Sequence, residues 1–362
     1  MKVYNFSAGP SMLSEAVKLE VQRDFLNFSN SGMSIVEMSH RSKFFEDVHN
    51  QGITLLKEIM NINDDYEVLF LQGGASQQFD AVPLNLFAKG RADYIVTGSF
   101  AAKATTEAKK YGDVVIAASS KDKNYTYIPN VDSINFRENL DYVHITQNNT
   151  IFGTRYTSLP KTEAPLVSDV SSMILSEEID ISKYGLVYAG AQKNIGPAGL
   201  TVVIVKKELM RTPMPICPTM LRYSTHADAN SLYNTPPCFC IYMAMLAFKE
   251  IKALGGVKEV YKTNLHKASL LYDYIDNSSF YSNKVFLKDR SLMNVPFITP
   301  SAELDSLFVS QATQNGLVSL KGHRSVGGMR ASIYNAMPVE GVEKLILFMK
   351  KFEMQNKTAL RS

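Results

Sequence analysis

The stretch Leu186-Val187-Tyr188-Ala189-Gly190-Ala191-Gln192-Lys193-Asn194-Ile195-Gly196-Pro197-Ala198-Gly199-Leu200, continuing into an apolar run over 201–205, decides the fold. A short apolar run delivers one lysine into a bed of Gly and Ala. A Gly-Pro turn follows, and then a second strand-like run. Only the few residues between 193 and 199 join the two runs. A parallel crossover needs about a dozen residues, so the second strand is expected to run antiparallel to the first. Small residues around Lys193 let a flat, bulky ligand approach closely. Burial would lower the lysine pKa and free its amine as a nucleophile or base, as a Schiff-base lysine requires.

Upstream, Leu166-Val167-Ser168-Asp169-Val170-Ser171-Ser172 is another apolar run with an acid inside it. A carboxylate flanked by two valines needs a charged or hydrogen-bonding partner. Read alone, Asp169 also fits a helix cap or turn acid. The spacing to Lys193 leaves room for one strand, a crossover and the next strand. Pyridoxal phosphate uses such a pair: a lysine to hold its aldehyde and a carboxylate to keep its pyridine nitrogen protonated.

Outward from this centre, seven strand-like runs are expected at 67–72, 93–98, 113–118, 142–147, 166–170, 186–191 and 200–205. Most lack strict alternation, as strands covered on both faces do. Helical segments at 77–89 and 103–111 separate the early ones. The pattern predicts an α/β fold with a mostly parallel seven-stranded sheet and one antiparallel strand. The region 213–237, with five prolines, reads as a long functional loop. Helices at 238–254 and 257–277 follow, then a small α/β unit: strand 293–298, helix 302–315, strands 318–320 and 329–333, and helix 339–352. With 362 residues, two domains are expected: 16–260 as the large one and 261–362 as the small one, with 1–15 packing against the small one.

The bulk numbers exclude several classes. A net charge of +3 with no basic block argues against a nucleic-acid surface. Residues 1–12 lack the features of a signal peptide, and the nearly apolar stretch 238–248 is too short to span a bilayer. It reads as a buried helix, with Cys238 and Cys240 as small buried hydrophobes. Three cysteines with no CxxC, and six scattered histidines, supply no metal site. A cytoplasmic, metal-free protein is expected.

Two further groups carry chemistry. Gln72-Gly73-Gly74-Ala75-Ser76 lies between a strand and a helix, where free N–H groups can hold a phosphate. Phe100 and Thr150 follow two other strand ends, where α/β sheets bind ligands; Phe100 is placed to stack on a pyridine ring and Thr150 to donate a hydrogen bond. The second group is cationic: His40-Arg41, and His323-Arg324 with Arg330 in a run punctuated by Gly322, Gly327 and Gly328. Arginine grips carboxylate and phosphate through two parallel hydrogen bonds. Two such His-Arg pairs suit a substrate with two anionic ends.

These strings resemble a known family. Asn5-Phe6-Ser7-Ala8-Gly9-Pro10, Glu37-Met38-Ser39-His40-Arg41-Ser42, Gly73-Gly74, Ser168-Asp169-Val170-Ser171-Ser172, Gly190-Ala191-Gln192-Lys193-Asn194, Asn234-Thr235-Pro236-Pro237 and the run 322–338 occur in the order found in the phosphoserine aminotransferases. These are class V aminotransferases of the aspartate-aminotransferase fold. The resemblance implies pyridoxal 5'-phosphate as cofactor, with glutamate and 3-phosphohydroxypyruvate exchanging an amino group, and 4-phosphohydroxythreonine as a further possible substrate. It implies that Lys193 holds the aldehyde and Asp169 the pyridine nitrogen. Ala75, Ser76, Thr150 and Gln192 would hold the cofactor and its phosphate. Asn234 and Thr235 would reach the cofactor phosphate of the neighbouring subunit in a homodimer with shared sites. Arg330 would bind the substrate α-carboxylate, and His40, Arg41, His323 and Arg324 its distal anion. Two positions depart from the family: Ser76 replaces a frequent arginine, and Phe100 replaces the usual tryptophan. The alternative within class V is an alanine/serine–glyoxylate type aminotransferase, which has no need of doubled His-Arg pairs. A cysteine desulfurase would need a mobile cysteine, which Cys238 at a helix start does not provide.

Overall fold

The computed structural model describes residues 2–210 and 213–357. Residue 1 and residues 358–362, the extremes of the two expected terminal units, lie outside the described residues.

Seven strands form one sheet: β1 (Tyr66–Leu71), β2 (Arg91–Val96), β3 (Asp113–Ser119), β4 (Tyr142–Thr146), β5 (Leu166–Asp169), β6 (Leu186–Gly190) and β7 (Thr201–Lys206). Their order is β1-β7-β6-β5-β4-β2-β3. β7 is antiparallel to both β1 and β6, and the other pairs are parallel. The short Lys193 turn therefore dictates the reversed strand, as the sequence predicts.

Side chains alternate between two buried faces, which explains the missing polar alternation. Val68, Phe70, Val187, Ala189, Val202 and Ile204 point into one core. That core is closed by α1 (Glu15–Asp24), α2 (Lys43–Ile59) and α6 (Cys238–Ala253). Leu69, Tyr94, Tyr142, Val167, Tyr188 and Val203 point into the other, closed by α3 (Gly74–Leu86), α4 (Ser99–Ala108) and α5 (Tyr223–Asp228). The apolar run from Cys238 is a buried helix, as expected, but Cys238 and Cys240 on its first turn are only half-buried. The helix starts at the surface after Pro237, so its first turn faces outward.

α7 (Val257–Asn277) links two cores: Val257 and Val260 pack on the sheet, and Ala268, Leu271 and Ile275 on a second unit. That unit holds β8 (Asn294–Phe297) antiparallel to β9 (Met329–Ser332), with α8 (Ala302–Gln314) and α9 (Val339–Asn356). Tyr4 and Phe6 belong to its core, and Tyr4–Asn5 pairs in parallel with Leu317–Val318.

Several boundaries differ from the sequence reading. α3 and α4 begin at Gly74 and Ser99, several residues before the expected 77 and 103, because each helix starts directly on the strand-end glycine. α9 extends four residues past 352, where Phe352 still packs in the core and the last turn continues outward. Within 213–237 the chain forms short helical turns, including α5. α1 and α2 had no counterpart in the sequence reading.

Lys267 on α7 is fully buried. Its Nζ donates to the carbonyls of Ile333 (3.1 Å), Tyr334 (2.8 Å) and Met337 (2.9 Å). Burial pushes its pKa down to about 7. Replacing it by methionine keeps the stem but leaves buried carbonyls without their donor, at about 1–3 kcal/mol for an unmet group. Lys267→Met is expected to lower unfolding free energy by at least about 2 kcal/mol in urea titrations. A loss below about 0.5 kcal/mol would show that the ammonium does not hold this turn.

Candidate active site

The carboxyl ends of the parallel strands meet at one rim, the usual ligand position in open α/β sheets. Asp169 ends β5, opposite Thr146 of β4 and Tyr188 of β6. Thr150 lies in the turn after β4, Lys193 in the turn after β6, and Phe100 in the first turn of α4. Topology alone brings these four together.

The centre is a junction at Thr150, which is 4% exposed. Lys193 Nζ donates to its Oγ1 at 2.8 Å. Arg330 Nη1 donates to its backbone oxygen at 3.3 Å. Lys193 Nζ also sits 5.4 Å from the Phe100 ring centroid. Burial pushes the Lys193 pKa down to about 8, Arg330 pushes it the same way, and Asp169 opposes both. A substantial neutral fraction therefore exists near neutral pH, which ordinary lysines lack.

Asp169 is 6% exposed, accepts the Ser171 N–H at 2.9 Å, and forms no salt bridge among the described residues. A buried carboxylate of this kind suits a protonated ring nitrogen. Arg330 Nε is a buried donor with no partner, and burial lowers the guanidinium pKa. An incoming carboxylate would satisfy it. The residues present therefore fit both pyridoxal phosphate and an α-amino or α-oxo acid.

The phosphate end also fits. Gly73 caps α3 in the left-handed region at φ +91°, and Gly74 follows at φ +71°. A Cβ at Gly73 would lie 1.6 Å from Gln77 Oε1. No side chain caps this helix, so the N–H groups around Ala75 and Ser76 are free for an anion. Ala75 is half-buried and Ser76 exposed. A cleft of ≈ 190 Å³ beside this turn is lined by Gln72, Gly73, Gln77, Tyr223 and Asn234. Gln72 Nε2 donates to the Thr235 carbonyl at 2.9 Å. Asn234 and Thr235 thus lie close to the Gly73 turn of their own chain.

The remaining expected residues fall into two places. His323 and Arg324 sit on the loop before β9, with His323 Nδ1 2.7 Å from Ser325 Oγ. His323 is held below the ordinary histidine pKa, first by partial burial and then by the positive charges of Arg330, Arg324 and Lys103. His40 and Arg41 precede the Ser42 cap of α2. Neither side chain hydrogen-bonds to the Lys193 cluster within one chain, among the described residues. Gln192 is half-buried, and its carbonyl accepts the Ser11 N–H at 2.9 Å.

Sequence reading missed the groups that hold this centre. Ser11 Oγ donates to the Lys193 carbonyl at 2.5 Å. Asn194 Oδ1 accepts the Asn335 N–H at 3.0 Å. Asn294 accepts from Asn148 (2.9 Å) and donates to Ser332 (3.0 Å) and Tyr334 (3.1 Å). Tyr334 in turn donates to the Ala8 carbonyl at 2.8 Å. Ser11, Asn194, Tyr334 and Asn335 all stand in or beside the strings quoted above, which was the available signal. Asn294 carried none.

Comparison with known proteins agrees with this geometry. The sequence profile of the family described as Aminotransferase class-V matches residues 3–345. A phosphoserine aminotransferase of Bacillus cereus is 54% identical over 358 residues, covering 98% of this chain and 99% of that protein. The solved phosphoserine aminotransferase of Bacillus circulans subsp. alkalophilus superposes with a TM-score of 0.96 at 47% identity, over 98% of this chain and 99% of that one. The pyridoxal-phosphate-bound phosphoserine aminotransferase of Trichomonas vaginalis gives 0.93 at 36% identity, over 96% and 100%. The chain belongs to the class-V aminotransferase family, in the group of the phosphoserine aminotransferases.

Proposed function

We propose that this protein binds pyridoxal 5'-phosphate and transfers the amino group between glutamate and 3-phosphohydroxypyruvate, giving O-phosphoserine and 2-oxoglutarate. The observation that carries this reading is the Thr150 junction, which holds a lysine of lowered pKa beside an arginine with an unmet buried donor. The names of the relatives supply the substrate class. 4-Phosphohydroxythreonine offers the same two anionic ends and fits the same anchors, which would tie the enzyme to pyridoxine synthesis as well as to serine biosynthesis.

Pyridoxal phosphate, when bound, supplies an aldehyde that condenses with amines and a ring that withdraws electrons from the substrate Cα. Lys193 holds the aldehyde in the resting enzyme. Its neutral amine, once released, would be the base that takes the proton from the substrate Cα and the acid that returns it. Thr150 aims Nζ. Asp169 holds a proton on the ring nitrogen. Ala75, Ser76, Thr150 and Gln192 hold the cofactor, its phosphate taking the free N–H groups of α3. Phe100 covers one ring face, with less area than an indole would give. Arg330 anchors the α-carboxylate common to both substrates. His323 and Arg324, with His40 and Arg41, receive the distal carboxylate or phosphate.

We assign the last two to a homodimer. Phe25, Leu26, Met33, Val36 and Phe44, in the segment of chain that carries His40-Arg41, expose apolar side chains, with Leu26 82% exposed. A second copy would cover them and carry His40, Arg41, Asn234 and Thr235 to its partner's site. We take 16–260 as the large domain and 261–362 as the small one, since α7 changes cores between Val260 and Ala268; 1–15 would join the small domain. We place the reaction in the cytoplasm, with all three cysteines free. Among the described residues, no helix is long and apolar enough to cross a membrane, and no cluster of side chains could hold a metal ion.

Absorbance titration tests the reaction: glutamate should convert the aldehyde form of the cofactor to its amine form, and 3-phosphohydroxypyruvate should restore it. Lys193→Ala should fold, bind the cofactor and lose more than about a hundredfold in turnover, the low end of what a positioned base contributes. Robust transamination by that variant would refute the assignment. The neutral amine is the reactive form, so the rate at which apoenzyme captures pyridoxal phosphate should rise with pH through about 8 and then level off. A midpoint above about 10, the ordinary lysine value, would contradict the buried amine. Arg324→Ala should raise KM for the phosphorylated substrate more than for a non-phosphorylated analogue, whereas Arg330→Ala should impair both alike. Matching losses in the two variants would undo the pocket map.

A further inference from the structure

Lys103 lies one turn beyond Phe100 on α4, at the i,i+3 spacing that puts two side chains on one helix face. The Phe100 ring centroid is 5.4 Å from Lys193 Nζ and 5.7 Å from Lys103 Nζ. One ring therefore carries the reactive lysine and a second, exposed lysine. The charge of Lys103 also joins those of Arg330 and Arg324 in disfavouring protonated His323. None of Lys103, Arg324 and Arg330 pairs with a carboxylate within 4.0 Å among the described residues. Lys103, Arg324 and Arg330 thus carry positive charge that no carboxylate within that distance offsets.

We propose that Lys103 is a specificity-determining residue: a further cation of the distal anion pocket that favours a phosphate dianion over a carboxylate. This rests on the substrate reading above. A carboxylate carries one negative charge and a phosphate monoester close to two near neutral pH, so an added positive charge stabilises the second more strongly. Lysine suits the position, because a flexible ammonium follows a tetrahedral phosphate in one half-reaction and a planar carboxylate in the other. The Phe100 ring limits where the stem can go, which keeps the ammonium near the pocket.

The test uses holoenzyme, in which the cofactor already fills the Gly73 turn. Wild type, Lys103→Gln and Lys103→Arg are compared in steady-state assays with glutamate and with 3-phosphohydroxypyruvate, and in calorimetric titrations with inorganic phosphate. Lys103→Gln should raise KM for the phosphorylated substrate about fivefold to tenfold, leave kcat and the glutamate KM within about twofold, and weaken phosphate binding in parallel. Lys103→Arg should restore most of the loss. Equal effects on both substrates, or none on phosphate binding, would overturn the proposal. A wild type that binds phosphate through Lys103 yet does not use the phosphorylated substrate would instead sink the functional reading.

Discussion

One threonine joins the two halves of the chemistry. Thr150 presents its hydroxyl to Lys193 and its carbonyl to Arg330, so both cationic side chains are referred to a single turn. That turn cannot drift. Asn149 Nδ2 donates to Thr97 and Thr154 at 3.1 and 3.0 Å, and Asn148 ties it to Ser172 and to Asn294 of the small unit. These are buried amide bonds whose loss would strand polar groups away from water. Positioning within fractions of an ångström is what such a reaction requires, and here it is obtained from main-chain turns at strand ends instead of long side chains.

Charge is distributed with the same economy. Burial and the Arg330 charge hold the Lys193 amine below the ordinary lysine range, against the opposing charge of Asp169. Partial burial and the charges of Arg330, Arg324 and Lys103 likewise disfavour the protonated form of His323. Crowding like charges in this way costs stability, a trade expected at functional sites.

Much of this was legible in the sequence. The seven runs of the sheet and the reversed strand after Lys193 follow from short-range patterns: apolar runs too continuous for a half-exposed sheet, and a connection too short for a crossover. The helix starts were misplaced because α3 and α4 begin on glycines at the strand ends, with no capping side chain to announce them. That displacement hid Lys103, which reads as a helix opening by sequence and stands a full turn inside α4 in the fold. α1 left a weak mark, with Val17 its one buried residue, whereas α2 carries a clear helical period of Phe45, Val48, Leu55 and Leu56 after the Ser42 cap, which the sequence reading passed over.

The sequence by itself determined the seven strand runs and the single reversed strand, and it pointed to Lys193, Asp169 and the Gly73 turn as candidates, because each of these signals is a short string of chain neighbours. Only the tertiary structure decided that Thr150 and Ser11 bond to Lys193, that Arg330 reaches the Thr150 carbonyl and that Asn294 braces the neighbouring Asn148. Those contacts join segments separated by more than forty positions. They exist because buried polar atoms must find partners wherever packing brings them, and no local pattern records which partner that will be.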